Sequence, residues 1–265
     1  MKRTTYILIG ILISLLFLMV GGILYISTQG TDADLYTLPV SDKMAKAEYP
    51  GICAVKLYTD DSRSIGLQGA HLNVVPASDG RVRLSYPECD YLKVSRDADT
   101  LVICLDLSNY KFPGRGKDYI LPTLRVKGLQ LTLEADAGLT FFSNRIGGMN
   151  TRIRGMQADS LTTYSRGGEI RLDSCHIRAL NVDGWALAFN ANQSTIRHLY
   201  LDLDGINNWT VDQCTIDTEH LTGSGKHCNQ LGKGECRQVV WTPKEEDASL
   251  SVVLSEKSTL MLQPE

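Results

Sequence analysis

Hydrophobic and polar positions divide the chain into two textures. From Tyr6 to Ile26 the sequence YILIGILISLLFLMVGGILYI carries no charge. As a helix these 21 residues reach about 31 Å, enough for a hydrocarbon core of ~30 Å. The pattern therefore predicts one transmembrane α-helix over 1–26. After Pro50 the pattern becomes short and alternating: Cys53–Leu57, Leu72–Val75, Arg81–Leu84, Leu92–Val94 and Leu101–Leu105, with turn residues such as Asp79-Gly80 and Pro87 between them. Such segments predict strands. No long stretch there keeps a 3.6-residue apolar period. Residues 27–48 are polar and are expected to be a linker, leaving 49–265 as the head.

The head contains a repeat. Windows 124–132, 151–159, 175–183, 194–202 and 214–222 align. Their third positions are Val126, Ile153, Ile177, Ile196 and Ile216, spaced 27, 24, 19 and 20 residues apart. Apolar residues recur at the sixth and eighth positions, with Glu219 as the exception. One face of a straight strand recurs every two residues, so apolar third and sixth positions need a bend between them. Each window then reads as two short strands around a corner. A third strand comes from between windows, as in Ile170–Leu172 or Ala186–Phe189. No Pro occurs between Pro122 and Pro243, and Gly residues fall at the proposed corners. The fold class predicted is all-β: a β-solenoid with irregular ~20-residue coils stacked ~4.8 Å apart. An antiparallel sandwich of similar strands is the alternative. Leu250–Leu254 and Leu260–Leu262 read as final strands.

An apolar N-terminal segment, a head opening with Tyr49-Pro-Gly-Ile-Cys-Ala-Val-Lys-Leu57, and irregular β coils together resemble the head GIN domains, envelope proteins described as autotransporter adhesins. The resemblance covers about residues 48–262. It implies a β-helical head outside the inner membrane and transfers no catalytic residue.

Charge places the chain. Lys2 and Arg3 precede the apolar span, while Asp32 and Asp34 are the first charges after it. The positive-inside rule puts the N-terminus in the cytoplasm and the head outside, so the partner of the first segment is the membrane. A cleaved signal peptide is the competing reading, but the apolar run is long for one and Ile26-Ser-Thr28 is a poor cleavage site. With 27 basic and 30 acidic residues, the chain is not a strongly basic nucleic-acid binder, and no nucleic-acid partner is expected.

Outward residues flank each inward Val or Ile: Arg125 and Lys127, Arg152 and Arg154, His176 and Arg178, Thr195 and Arg197, Thr215 and Asp217. Stacked in register, Arg125, Lys127, Arg152, Arg154, Arg178 and Arg197 would make a basic stripe for an anionic polysaccharide, a lipid headgroup or an acidic envelope protein. Pairing with carboxylates such as Asp173 or Glu169 is the plainer outcome. A ninth-position column, Asp159, Asp183 and Asp202, admits a second reading, a polysaccharide-lyase-like enzyme. An accessory subunit of an envelope complex is a third.

Other chemistry is sparse. G-x-S-x-G and H-E-x-x-H are absent, and Gly223-Ser-Gly-Lys226 lacks the rest of a phosphate loop. No cofactor is expected. His220, His227, Cys228 and Cys236 match no closed zinc pattern. Cys228 and Cys236 are instead a possible disulfide. Cys175 and Cys214 share the repeat position of Ser194 and are expected to face the core. Trp185, Trp209 and Trp241 read either as core fillers or as a sugar-stacking platform.

Overall fold

A computed structural model describes residues 3–29, 36–60, 65–110, 123–126, 128–231 and 236–254. The chain forms two units, Met1–Leu35 and Tyr36–Glu265.

The first unit is one α-helix, α1 (Arg3–Gln29). Its large apolar side chains from Ile11 to Tyr25 are all exposed, at 47–73%, so the helix is apolar on every face. Among the described residues no helix is long and apolar enough to cross a membrane; the described side chains of α1 run only from Gly10 to Tyr25.

The second unit is all β among its described residues. In chain order the strands are β1 (Tyr36–Thr37), β2 (Met44–Glu48), β3 (Ala54–Thr59), β4 (Gly66–Gln68), β5 (His71–Pro76), β6 (Arg83–Pro87), β7 (Leu92–Asp97), β8 (Thr100–Leu105), β9 (Thr123–Arg125) and β10 (Gln130–Ala135). They continue with β11 (Phe141–Asn144), β12 (Asn150–Arg154), β13 (Gln157–Asp173), β14 (His176–Asn192), β15 (Thr195–Asp202), β16 (Ile206–Asp212), β17 (Thr215–Gly223), β18 (Lys226–Leu231), β19 (Cys236–Pro243) and β20 (Ser249–Leu254). The expected linker over 27–48 is thus corrected. α1 runs on to Gln29, and β2 already pairs antiparallel with β6. The alanines and charges of β2 give an alternation too weakly apolar to read as a strand. The expected strand at Leu260–Leu262 lies outside the described residues.

From β13 onward the winding is regular. Ile177 pairs with Ile196 and Ile196 with Ile216, all parallel. Leu161, Leu180 and Leu199 follow one another, as do Val182, Leu201 and Leu221. These side chains are nearly inaccessible and form the interior file of a solenoid, in which each coil pairs with its neighbours. The ladder steps over Asp159, Arg178, Arg197, Asp217 and Arg237. That step is the bend the apolar spacing required. A second corner carries left-handed backbone at Gly155, Ser174, Gln193 and Gln213. The residues that follow, Met156, Cys175, Ser194 and Cys214, are buried. Ser194 Oγ accepts the Cys175 amide at 3.0 Å, and the Ser194 amide reaches Cys214 Sγ at 3.4 Å. Small core-facing residues thus tie adjacent coils at this corner.

The amino-terminal coils stack out of sequence order. On one face β3 lies between β8 and β11, and β11 pairs onward with β13. On another, β5 lies between β10 and β12. The coil made of β3, β4 and β5 therefore sits inside the stack, with the later coil of β8, β9 and β10 outside it. Antiparallel strands close that end: β7 covers β8, β6 covers β10, and β2 pairs on the far side of β6. The first two repeat windows were consequently aligned on the wrong partners. Ile153 pairs with Val74 and Leu172, and Ala158 pairs with Ile177.

Candidate ligand-binding surface

Out-of-order stacking breaks the expected basic stripe. Arg125 lies on β9 in a separate sheet with β1 and β4. Lys127 lies outside the described residues. Arg152 and Arg154 lie on β12, which does not pair with β14 or β15. Arg152 and Arg171 donate to the two carboxylate oxygens of Asp173 at 2.7 and 3.1 Å, with Arg154 Nε at 3.7 Å. Only Arg178 and Arg197 sit in file. Their file is a mixed column, in which Arg178 contacts Asp159 at 3.4 Å, while Arg197 and Arg237 contact Asp217 at 3.8 and 3.3 Å. Like charges on adjacent strands destabilise a ladder, and here Asp159 and Asp217 flank the neighbouring Arg178 and Arg197 and pair with them.

The carboxylate column is likewise dispersed. Asp159 belongs with Arg178. Asp183 accepts the Gly184 amide at 2.7 Å. Asp202 accepts from Lys244 at 2.6 Å, and Lys244 also reaches Asp204 at 2.9 Å. No converging set of acids forms from these three. Cys228 and Cys236 are both free thiols, so the expected disulfide is corrected. β18 pairs with β20 and β19 with β17, which places the two thiols in different sheets. Among the described residues no group of three or more His, Cys, Asp or Glu could hold a metal ion.

A different cluster emerges at one corner of the winding. Arg166 pairs with Trp185, and Asn144 pairs with Ser165. Arg145, Arg166 and Trp185 thereby occupy equivalent positions on consecutive coils. They line a cavity of about 460 Å³ together with Tyr164. The Arg145 guanidinium lies 5.6 Å from the Tyr164 ring centroid, within cation–π range. Trp185 is 65% exposed, whereas Trp209 and Trp241 are half-buried against the core. Of the three tryptophans, then, one faces solvent and two pack half-buried against the core. The small residues Ser165, Gly184 and Gly205 let the coils close up here: a Cβ on Gly184 would lie 2.4 Å from Ser165 O, and one on Gly205 1.9 Å from Gly184 O. Sequence reasoning missed this cluster because Arg145 and Arg166 fall outside the repeat windows. The spacing Arg145, Arg166, Trp185, near the coil period, was the available signal.

Comparison with known proteins gives the following. No family model matches the chain, and no curated protein matches it. Solved structures do resemble it. One, titled a "putative adhesin", comes from Bacteroides fragilis: 15% identity, 81% of this chain and 95% of that one covered, TM-score 0.48. A second "putative adhesin", from Parabacteroides merdae, shows 11% identity, 84% and 100% coverage and a TM-score of 0.44. A "putative lipid binding protein" from Parabacteroides distasonis shows 11% identity, 84% and 98% coverage and a TM-score of 0.37. The likeness is loose at these values, and the head GIN resemblance gains no family match.

Proposed function

We propose that this chain is a membrane-anchored binding module of the cell envelope, whose β-solenoid head takes acidic glycan at the Trp185 corner. The observation that carries the reading is Trp185, a large aromatic left exposed beside Arg145, Arg166 and Tyr164. An exposed indole offers a face for a sugar ring. The Arg145 guanidinium offers a planar fork for a carboxylate or sulfate. The reading therefore keeps the acidic-ligand expectation and moves it from the repeat windows to this corner. Binding, and not catalysis, is the role proposed, since the acids expected to converge are each engaged with a separate partner.

The anchor is α1. What supports the reading is the uncharged sequence Tyr6–Ile26, whose large apolar side chains from Ile11 to Tyr25 are exposed; the described residues by themselves make no helix long and apolar enough to cross a membrane. Lys2 and Arg3 at the amino end orient the proposal: N-terminus cytoplasmic, head extracytoplasmic.

The test is binding of the full chain, in detergent micelles, to polygalacturonate and to neutral dextran. Saturable binding to polygalacturonate, weakened at least tenfold by Trp185→Ala and by Arg145→Ala, is expected. Equal retention on dextran, or unchanged affinity in both variants, would overturn the assignment.

A further inference from the structure

A second surface, on the outer side of the sheet formed by β14, β15 and β17, holds two histidines in an unusual relation. His198 pairs in the ladder with Thr218, and His220 pairs with Tyr200. The imidazoles are therefore diagonal neighbours on adjacent coils. His198 Nδ1 and His220 Nε2 face one another at 3.3 Å. Tyr200 stacks on His220 with ring centroids 4.3 Å apart and 10° between planes. That stacking fixes the His220 ring. The residues that pair with these positions on the flanking coils, Ala179, Asn181, Gln238 and Val240, carry no charge.

We infer that His198 and His220 form a bidentate site for a divalent transition-metal ion of the zinc class. Two imidazole nitrogens each ~2.0–2.1 Å from a tetrahedral ion lie about 3.3–3.4 Å apart, which matches the 3.3 Å between His198 Nδ1 and His220 Nε2. Without an ion, the same two nitrogens can share a hydrogen bond, with the donor set by the tautomers. Both rings must be neutral to ligate. Two protein ligands leave two tetrahedral positions open. Tyr200, which stacks on His220, lines a shallow cavity of about 270 Å³ with Ser160, Ala179 and Asn181. The site lies apart from the Trp185 corner in residue composition and does not depend on the glycan reading.

Zinc chloride is titrated calorimetrically into the full chain in detergent, and cobalt(II) absorption is recorded in parallel. One equivalent is expected to bind, with cobalt giving the visible bands of a four-coordinate nitrogen site and no thiolate charge-transfer band. His198→Ala and His220→Ala should each weaken binding at least tenfold. Tyr200→Phe should retain it, and circular dichroism should show all variants folded. Absence of binding up to millimolar zinc would overturn the assignment. So would affinity unchanged in either histidine variant, or a thiolate band pointing to Cys228 instead.

Discussion

Arg152 Nε donates to Asp173 Oδ2 at 2.7 Å, joining β12 to β13 through one carboxylate that Arg171 also holds. Burial works to raise the Asp173 pKa, but the two guanidinium groups outweigh it and hold the carboxyl below its usual range. A depressed carboxyl pKa contributes stability above the unfolded value, near 4, and the contribution is lost as pH falls through the folded value. Asp173→Asn is therefore expected to destabilise the head by about 1 kcal/mol at pH 7, allowing for partial solvent screening of the arginines. The gap to the parent protein should narrow at acid pH, as pH falls through the folded value. Urea unfolding at pH 7 and at acid pH checks both parts, and a constant gap would show that charge is not its source.

The Trp185 corner depends on close backbone approach. A Cβ at Gly205 would sit 1.9 Å from Gly184 O, a contact that flexible side-chain motion cannot relieve. Gly205→Ala should lower stability by about 1–3 kcal/mol, as overpacking does. It should also weaken glycan binding by displacing the strand beside Trp185. Thermal unfolding and polygalacturonate binding measure the two effects. An alanine variant as stable as the parent would mean the coils can separate here at little cost.

Much of this architecture could be read from apolar spacing alone. Ile177, Ile196 and Ile216 announce their pairing because consecutive coils repeat every 19 or 20 residues with the same corner. The position shared by Cys175, Ser194 and Cys214 was legible for the same reason. The first windows misled because similarity between segments does not reveal what lies between them. β5 intervenes between β10 and β12, so Val126 and Ile153 resemble successive turns without touching as such. The binding surface was harder still. A charge column depends on register, and shifting Ile153 from Ile177 to Leu172 removed two arginines from the file. Trp185 was visible as an aromatic, but its exposure follows from the tight Ser165, Gly184 and Gly205 stack, which composition does not show.

Glu219 breaks the apolar sixth position, and the break has a structural counterpart. It stands between Leu199 and Val239 in the ladder and is 1% exposed. Asn229 Nδ2 donates to Glu219 Oε2 at 2.9 Å from a position with no exposure. Removing a donor from a buried carboxylate leaves part of its desolvation uncompensated. Asn229→Ala is expected to cost about 2–3 kcal/mol. In the Glu219→Leu background the same change should cost less, since the acceptor is gone. A double-mutant cycle by chemical denaturation tests this, and strictly additive losses would contradict a coupled pair.

Thiol chemistry gives the last expectation. Of the 7 cysteines, Cys228 is the one exposed. Cys175 is buried, and burial pushes its thiol pKa up. Cys236 donates to Gln238 O at 3.0 Å, and its pKa is pushed up to about 12, first by burial and then by Glu219. Thiolate is the reacting form, so at pH 8 Cys236 should stay silent while Cys228 reacts. A disulfide reagent should therefore show one fast equivalent in the folded chain, with the buried thiols appearing only on unfolding. Cys228→Ser should abolish the fast phase. Mass analysis under non-reducing conditions should find Cys228 and Cys236 unlinked. A fast phase that survives Cys228→Ser, or a linked pair, would mean β18 and β19 approach more closely than their separate sheets allow.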